Sequence, residues 1–196
     1  MKGNNWSYIF NVKEFNESEI FKSPLFIMIK LRWLTICLIL VMSACRKDVE
    51  LTKADYTGNQ LKLGGYYAGP RNGEGLDYFF FYRNGVLLYA GGYSDPMDVG
   101  IIEDVFRSDE FDESKKKVKY VWGVFNIAGN VIEFEKWEPG GGKALKTVGW
   151  SGDILNDSTF LVTSFIGTKG DAFVVNDTFN LRPFSPKPDS TNMFIK

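Results

Sequence analysis

The chain has 196 residues with 23 basic and 24 acidic side chains, and this near balance excludes a strongly basic face for nucleic acid. Aromatic residues make up 16% of the chain, which excludes a disordered polymer, and the length is that of one domain. The chain has no histidine, which excludes Ser-His-Asp and Cys-His nucleophile systems and every His-ligated metal site.

Residues 1–27 precede a segment that looks like an export signal, and they mix lysines and glutamates with scattered aromatic residues. Export signals begin within a few residues of their positively charged region. We therefore expect translation to start at Met28 and exclude residues 1–27 from the fold. The alternative is a cytoplasmic tail ahead of a membrane anchor.

Residues 28–44 have the three-part layout of a secretory signal peptide. Lys30 and Arg32 provide the positive region, and the apolar run 33–41 leads to the small residues 43–44. From the start of the apolar run to the end of the small residues there are only 12 positions, whereas a transmembrane helix needs about 20. A plain secretory signal and a retained anchor helix are the alternatives.

Cys45 follows directly, and the sequence Met42-Ser43-Ala44-Cys45 resembles the lipobox of bacterial lipoproteins, with Met42 where that family prefers Leu or Val. The resemblance implies that the Cys45 thiol receives a diacylglyceryl group, that the peptide is cut before Cys45 and that the new amine is acylated. Three fatty chains make a lasting anchor. Cys37 is the only other cysteine and would leave with the signal peptide, so no disulfide is expected.

The residues after Cys45 bear on the destination of such a lipoprotein. Residue 46 is Arg and not the Asp that signals inner-membrane retention, so the resemblance implies the outer membrane, with a periplasmic or surface-exposed domain. Lys47 followed by acidic residues also resembles the export signal of surface lipoproteins in the Bacteroidota. A solvated charged tether over residues 45–60 explains the same composition.

Short apolar runs separated by turn residues predict an all-β, antiparallel domain over residues 61–184. Asn84-Gly85 between two such runs is typical of a hairpin turn, because both residues tolerate positive φ. Sequential hairpins without a long crossover favour an up-and-down β-barrel of about eight strands over a sandwich. The predicted strands are 61–68, 77–83, 86–93, 118–127, 131–137, 145–151, 159–166 and 172–182.

Two segments of this region lack strand patterns. Residues 94–117 include a charged run from Asp109 to Lys117 and predict a short helix or a lid loop. The tail 185–196 contains Pro186 and Pro188, and we expect it to be irregular.

The first strand contains Gly64-x-Tyr66 and Gly65-x-Tyr67, and either motif resembles the Gly-x-Trp opening of lipocalin-like barrels. Strand order and spacing over roughly residues 60–184 add to the resemblance. It implies a central cup for a small apolar ligand, although some lipocalin-like barrels hold none. Eight strands enclose room for one small ligand or for side chains alone.

A set of aromatic side chains either lines this cup or forms a closed core. Alternation places Tyr78, Phe80 and Tyr82 on one face of their strand, and Phe79 and Phe81 on the other. The candidates for ligand lining are Tyr78, Phe80, Tyr82 and Trp122, and Trp137 and Trp150 complete the aromatic set.

Three motifs are better explained without catalysis or metal binding. Residues 140–143 lack the first Gly and the final Ser or Thr of a phosphate-binding loop. The acidic run 109–113 lacks the Gly and the closing Glu of an EF-hand, and three lysines follow it. Glu133 and Glu135 share the wet face of one strand, as in any amphipathic strand. We therefore expect no enzyme activity, no cofactor and no metal site.

Two tripeptides, Asp157-Ser158-Thr159 and Asp189-Ser190-Thr191, resemble the O-glycosylation motif of exported Bacteroidota proteins. Ser158 and Ser190 are therefore candidate acceptors, although Asp-Ser pairs also form simple turns.

The sequence as a whole predicts a lipid-anchored envelope lipoprotein whose barrel binds a small apolar ligand. Its partners are the membrane, through the N-terminal anchor, and the ligand, and nucleic acid is not among them. The alternative is a structural or assembly lipoprotein with a filled barrel, which binds an envelope protein or a glycan on its outer surface.

Overall fold

The computed structural model describes residues 47–71, 75–93, 99–139 and 144–196. The predicted signal peptide and Cys45 lie outside these residues.

Eight antiparallel strands form a closed barrel, in which each strand pairs with the next and the last returns to the first. This all-β, up-and-down topology confirms the predicted fold class. The strands are β1 Gly65–Pro70, β2 Leu76–Phe81, β3 Val86–Tyr93, β4 Trp122–Ala128, β5 Val131–Glu138, β6 Lys146–Asn156, β7 Thr159–Ile166 and β8 Ala172–Pro183.

Three strand boundaries differ from the prediction by four or five residues. Strand β1 starts at Gly65 and not at residue 61, because Leu61 and Lys62 belong to a segment that crosses one end of the barrel. Strand β4 starts at Trp122 and not at residue 118, because Lys119–Val121 forms a 3₁₀ turn. Strand β6 continues to Asn156, since it passes through a bulge after Ser151 and resumes its pairing with β7.

The segment 94–117 contains two short helices, α1 Val99–Arg107 and α2 Asp109–Lys116. Ser108 lies between them and caps α2, because its Oγ accepts a hydrogen bond from the Phe111 N–H at 3.1 Å. Each helix buries a narrow apolar face against the barrel. The segment therefore contains two packed helices, whereas one short helix or a lid loop was expected. The buried side chains are Ile102, Phe106 and Phe111.

The side chains of the strands feed two separate apolar cores. All eight strands contribute to the first, which therefore fills the interior of the closed barrel, and we call it the inner core. The outer core lies between the outside of strands β1–β5 and the two helices. The buried inner core consists of Tyr56, Leu61, Tyr67, Phe79, Phe81, Leu87, Phe125, Ile132, Phe134, Ile154, Phe160, Val162 and Phe179.

The two ends of the barrel are covered differently. At the turns β2–β3, β4–β5 and β6–β7, residues 54–64 pass across the barrel and add Tyr56 and Leu61 to the inner core. The Lys62 N–H donates to the Asp157 carbonyl at 2.7 Å and fixes this segment to the β6–β7 turn. We call this the closed end. The open end carries the connections β1–β2, β3–β4, β5–β6 and β7–β8.

Residues 47–53 lie beside the open end. The Trp137 indole N–H donates to the Val49 carbonyl at 2.6 Å, and Leu51 is buried in the outer core. The described part of the predicted tether is therefore packed on the barrel, whereas a free extended segment was expected.

The tail 185–196 is irregular, as expected, but it is attached along its length. The Tyr82 hydroxyl donates to the Pro188 carbonyl at 2.9 Å, and Ile195 is buried in the outer core. The Lys187 ammonium lies over the Tyr82 ring and donates to the Leu63 and Phe81 carbonyls, each at 2.8 Å.

Candidate functional site: a polar cup at the open end of the barrel

A cavity of about 590 Å³ occupies the open end of the barrel. Its walls come from the connections at the open end and from inward side chains of β2, β3, β5, β6, β7 and β8. Its polar lining includes Arg71, Asp77, Lys136, Glu138 and Asp177, and its apolar lining includes Tyr89, Val148, Trp150, Phe165, Val175 and Phe179.

The floor of this cup is a layer of stacked aromatic rings. Trp150 lies nearly parallel to Phe134 of the inner core, with ring centroids 5.1 Å apart and an interplanar angle of 10°. Phe179 stacks on Phe160 at 5.2 Å and 3°. The cup therefore ends on a packed apolar surface, which separates it from the closed end.

Asp77 is the centre of one polar group in the wall. Its carboxylate accepts a hydrogen bond from the Tyr89 hydroxyl at 2.8 Å, and the Arg71 Nε lies 3.8 Å from the same oxygen. Burial raises the pKa of Asp77, although the Tyr89 hydroxyl, Arg71 and Lys136 each favour the ionised form. Burial and the nearby Asp77 charge raise the pKa of Tyr89, so its hydroxyl remains a donor.

Lys136 is the buried cation of the cup, with only 5% of its surface exposed. Strand alternation turns it inward, in phase with Ile132 and Phe134. Its ammonium pairs with the Glu138 carboxylate and lies 4.8 Å from the centre of the Tyr89 ring. These contacts replace the water that a buried cation loses.

Asp177 is the second carboxylate of the wall that burial perturbs. Burial raises its pKa, and within the described parts of the chain it forms neither a hydrogen bond nor an ion pair through its side chain. A carboxylate in this position is stabilised in its ionised form by a donor or a cation that enters the cup.

The four residues predicted to line the cup lie on the outside of the barrel, in the outer core. Tyr78 and Phe80 contact Phe106 of α1, with ring centroids 5.8 and 5.3 Å apart. The tail covers Tyr82, and the Trp122 indole N–H donates to the Lys115 carbonyl of α2 at 3.1 Å. The predicted lining is therefore corrected, because these side chains pack under the helices and the tail.

The physical reason for this difference is that both faces of β2 are apolar. Alternation shows which side chains share a face, but it does not show which face turns inward. Phe79 and Phe81 enter the barrel, while helix α1 covers the other face at Phe80.

The polar residues of the cup were absent from the predicted site. Lys136 was visible in the sequence as a charge in phase with the apolar Ile132 and Phe134. Asp77 shares the phase of Phe79 and Phe81, whose orientation the sequence leaves open. No local pattern brings Asp177 of β8 to the same wall, since its position depends on barrel closure.

The two candidate glycosylation sites lie away from the cup. Ser158 is half-buried in the β6–β7 turn at the closed end, where its N–H and its hydroxyl both donate to Asn156 Oδ1 at 2.9 Å. Ser190 is half-buried in the tail, and its Oγ accepts from the Asn84 amide at 3.4 Å. Glycosylation at either serine stays a prediction.

Among the residues with a described structure, none of the helices combines the length and apolar character needed to cross a bilayer. The same residues contain no group of three or more acidic or cysteine side chains placed to hold a metal ion. Comparisons with protein-family models, with curated proteins and with solved structures gave no match for this chain.

Proposed function

We propose that the chain is a lipoprotein of the bacterial outer membrane, acylated at Cys45, whose lipocalin-like barrel binds one small molecule in the cup. The observation that carries the binding proposal is the cavity of about 590 Å³ at the open end of the barrel. This volume is within the range of small-molecule sites, which are mostly apolar with a few polar groups. The lipobox-like sequence at residues 42–45 supports the anchor.

The lining narrows the class of ligand. The stacked rings of Trp150 and Phe179 suit an apolar body. The carboxylate of Asp177, which has no partner among the described residues, suits a hydrogen-bond donor or a positive charge. The ligand is therefore an apolar molecule with one donor group, and it is more polar than the purely apolar ligand that the sequence predicts. Non-enzymatic binding is part of this proposal.

Binding is tested on residues 47–196, which form one compact unit, with the fluorescent probe N-phenyl-1-naphthylamine. The probe has an apolar body and one N–H donor, and we expect saturable binding at one site. Val175→Trp fills the cup and should abolish the fluorescence increase. Val174→Trp is the matched control, because Val174 points out of the barrel and is 95% exposed. Equal binding by both variants, or no saturable binding by the wild type, would contradict the cup.

The anchor is tested by labelling with palmitate in a bacterial host. The wild type should incorporate the label and stay with the membranes, and Cys45→Ser should do neither. Cys37→Ser is the control, since Cys37 lies in the segment that we propose is removed. An unlabelled wild type would contradict acylation at Cys45.

A partner on the outer surface is the second candidate, and one observation favours it. A groove of about 300 Å³ runs along the outside of β4–β6, beside Thr52 and Ala54. Glu133, Glu135 and Ile166 line it, which offers both charge and apolar area to an envelope protein or a glycan. A wild-type barrel that binds no probe would favour this candidate.

A further inference from the structure

The described chain begins at the open end of the barrel and is fastened there. Asp48 accepts a hydrogen bond from the Leu145 N–H at 2.7 Å and pairs with the Lys119 ammonium at 2.6 Å. Leu145 belongs to the β5–β6 connection, and Lys119 belongs to the segment that enters β4. Both partners are therefore parts of the open end.

Chain length limits the distance from this fastening to Cys45. Cys45 lies three positions before Asp48 in the sequence, and an extended chain spans at most about 3.6 Å per residue. An acyl group on Cys45 therefore starts within about 11 Å of Asp48, whatever the conformation between them. The closed end lies beyond this reach, because the six positions of β5 from Trp137, which bonds to Val49, to Val131 span about 20 Å.

The open end also carries exposed apolar side chains. At the β7–β8 hairpin, Val174 is 95% exposed and Phe173 is 51% exposed, and Ile166 precedes the hairpin turn. Leu76 at the start of β2 and Tyr120 before β4 are exposed around the same mouth. Exposed apolar side chains that gather on one surface, beside a lipid attachment point, fit an interface with lipid.

We propose that the open end of the barrel is a membrane-contact surface, which rests on the phospholipid bilayer with Phe173 and Val174 among the headgroups. This proposal depends on the acylation of Cys45 and extends it, because it sets the orientation of the domain. The cup then opens toward the lipid and takes its apolar ligand from the bilayer. The closed end faces the aqueous compartment.

The orientation is tested with an environment-sensitive fluorophore, nitrobenzoxadiazole, on a cysteine introduced at either end. Val174→Cys labels the open end, and Leu155→Cys labels the turn-proximal end of β6 at the closed end. Both side chains are exposed, at 95% and 56%, so neither substitution disturbs a core. The full chain is expressed and processed in a bacterial host, and the labelled protein is reconstituted into phosphatidylcholine–phosphatidylglycerol vesicles.

We expect the label at residue 174 to show blue-shifted emission and quenching by doxyl-labelled lipids, with neither effect at residue 155. A protein that floats with the vesicles but is not quenched at 174, or is quenched equally at 155, overturns the membrane-contact surface and leaves the anchor intact. A protein that does not float with the vesicles overturns the acyl anchor and the orientation together. These outcomes separate a failure of this inference from a failure of the proposed function.

Discussion

The two ends of the barrel share the same strands and the same alternation, yet they differ in content. At the closed end, rings from strands that do not pair meet across the interior, as Tyr67 meets Phe160 at 5.2 Å and Phe81 meets Phe125 at 5.0 Å. At the open end Asp77 occupies one of the inward positions, and a cavity of about 590 Å³ lies where the closed end has packed rings. An eight-stranded barrel is just wide enough for either outcome.

The type of side chain that turns inward therefore divides the barrel into a packed half and a half that holds a cavity. Large aromatic rings fill the closed half. In the open half, charged and hydrogen-bonded side chains line the interior and do not pack closely against one another. Strand β5 shows the change from packed half to cup along its own length. Its inward side chains Ile132 and Phe134 lie in the packed half, and the next inward side chain, Lys136, lies in the cup. Substitutions at the two ends should therefore have different consequences.

The largest expected effect comes from removing a ring at the closed end. Phe81→Ala should lower the free energy of unfolding by about 3–5 kcal/mol, because Phe81 is buried among five other rings. Phe173→Ala at the open rim is the matched control and should change it by less than about 1 kcal/mol. Urea unfolding followed by tryptophan fluorescence measures both. Equal losses would contradict the difference between the ends.

Substitutions at two glycines of the closed end separate the cost of backbone strain from the cost of a steric clash. Gly85 and Gly129 both have positive φ, at 74° and 61°. A Cβ at Gly85 would lie 2.0 Å from the Ala54 carbonyl oxygen of the segment that covers the closed end, whereas a Cβ at Gly129 would meet nothing within 4 Å.

Gly129→Ala should therefore cost about 1 kcal/mol of stability, from the left-handed conformation alone. Gly85→Ala should cost at least about 2 kcal/mol, because it also displaces the covering segment. Thermal and urea unfolding of the two variants give the comparison. If Gly85→Ala were the milder of the two, the covering segment would contribute nothing to stability.

Lys187 provides a pH test of the closed end. Burial lowers its pKa to about 8, and within the described residues its ammonium bonds only to backbone carbonyls. The unfolded chain, with a lysine pKa near 10.4, holds more protons between pH 8 and 10, so stability should rise with pH in this window. Lys187 alone should contribute a gain of about 1–2 kcal/mol between pH 7.5 and 9.5.

The control for this pH test is Lys187→Met, which removes the titrating group and should remove the gain. Chemical unfolding at each pH measures it, and the difference between the wild type and Lys187→Met separates it from the ionisation of tyrosines in the unfolded chain, which begins below pH 9.5. A wild type whose stability changes with pH in the same way as that of Lys187→Met would show that Lys187 is solvated.

The sequence predicted the barrel better than it predicted the site, for a physical reason. Hairpin turns and alternation are local, so the strand order and the positive φ of Gly85 followed from short stretches of sequence. The turn itself is longer than expected, since the Gly85 N–H bonds to the Tyr82 carbonyl and Arg83 joins Asn84 and Gly85 in the loop.

The site depends on which face of each strand turns inward, and that choice is made by distant segments. Helix α1 covers Phe80 from outside and leaves Phe79 to the interior, an outcome that the doubly apolar strand β2 does not encode. The cup also brings Asp77 and Asp177 into one wall across 100 positions of sequence. Only closure of the barrel between β1 and β8 makes them neighbours.

The smallest expected effect concerns the contacts of Asp48 that hold the segment 47–53 at the open end. The Lys119 ammonium and the Leu145 N–H hold the pKa of the Asp48 carboxyl below its usual range. Asp48→Asn removes the charge, so the segment 47–53 should detach more often without a change in the midpoint of global unfolding. Trypsin should then cleave at Lys53 several times faster than in the wild type. Glu50→Gln, an exposed acidic neighbour, is the control and should leave the cleavage rate unchanged. Cleavage that stays slow in Asp48→Asn would mean that the Trp137–Val49 hydrogen bond and the burial of Leu51 hold the segment by themselves.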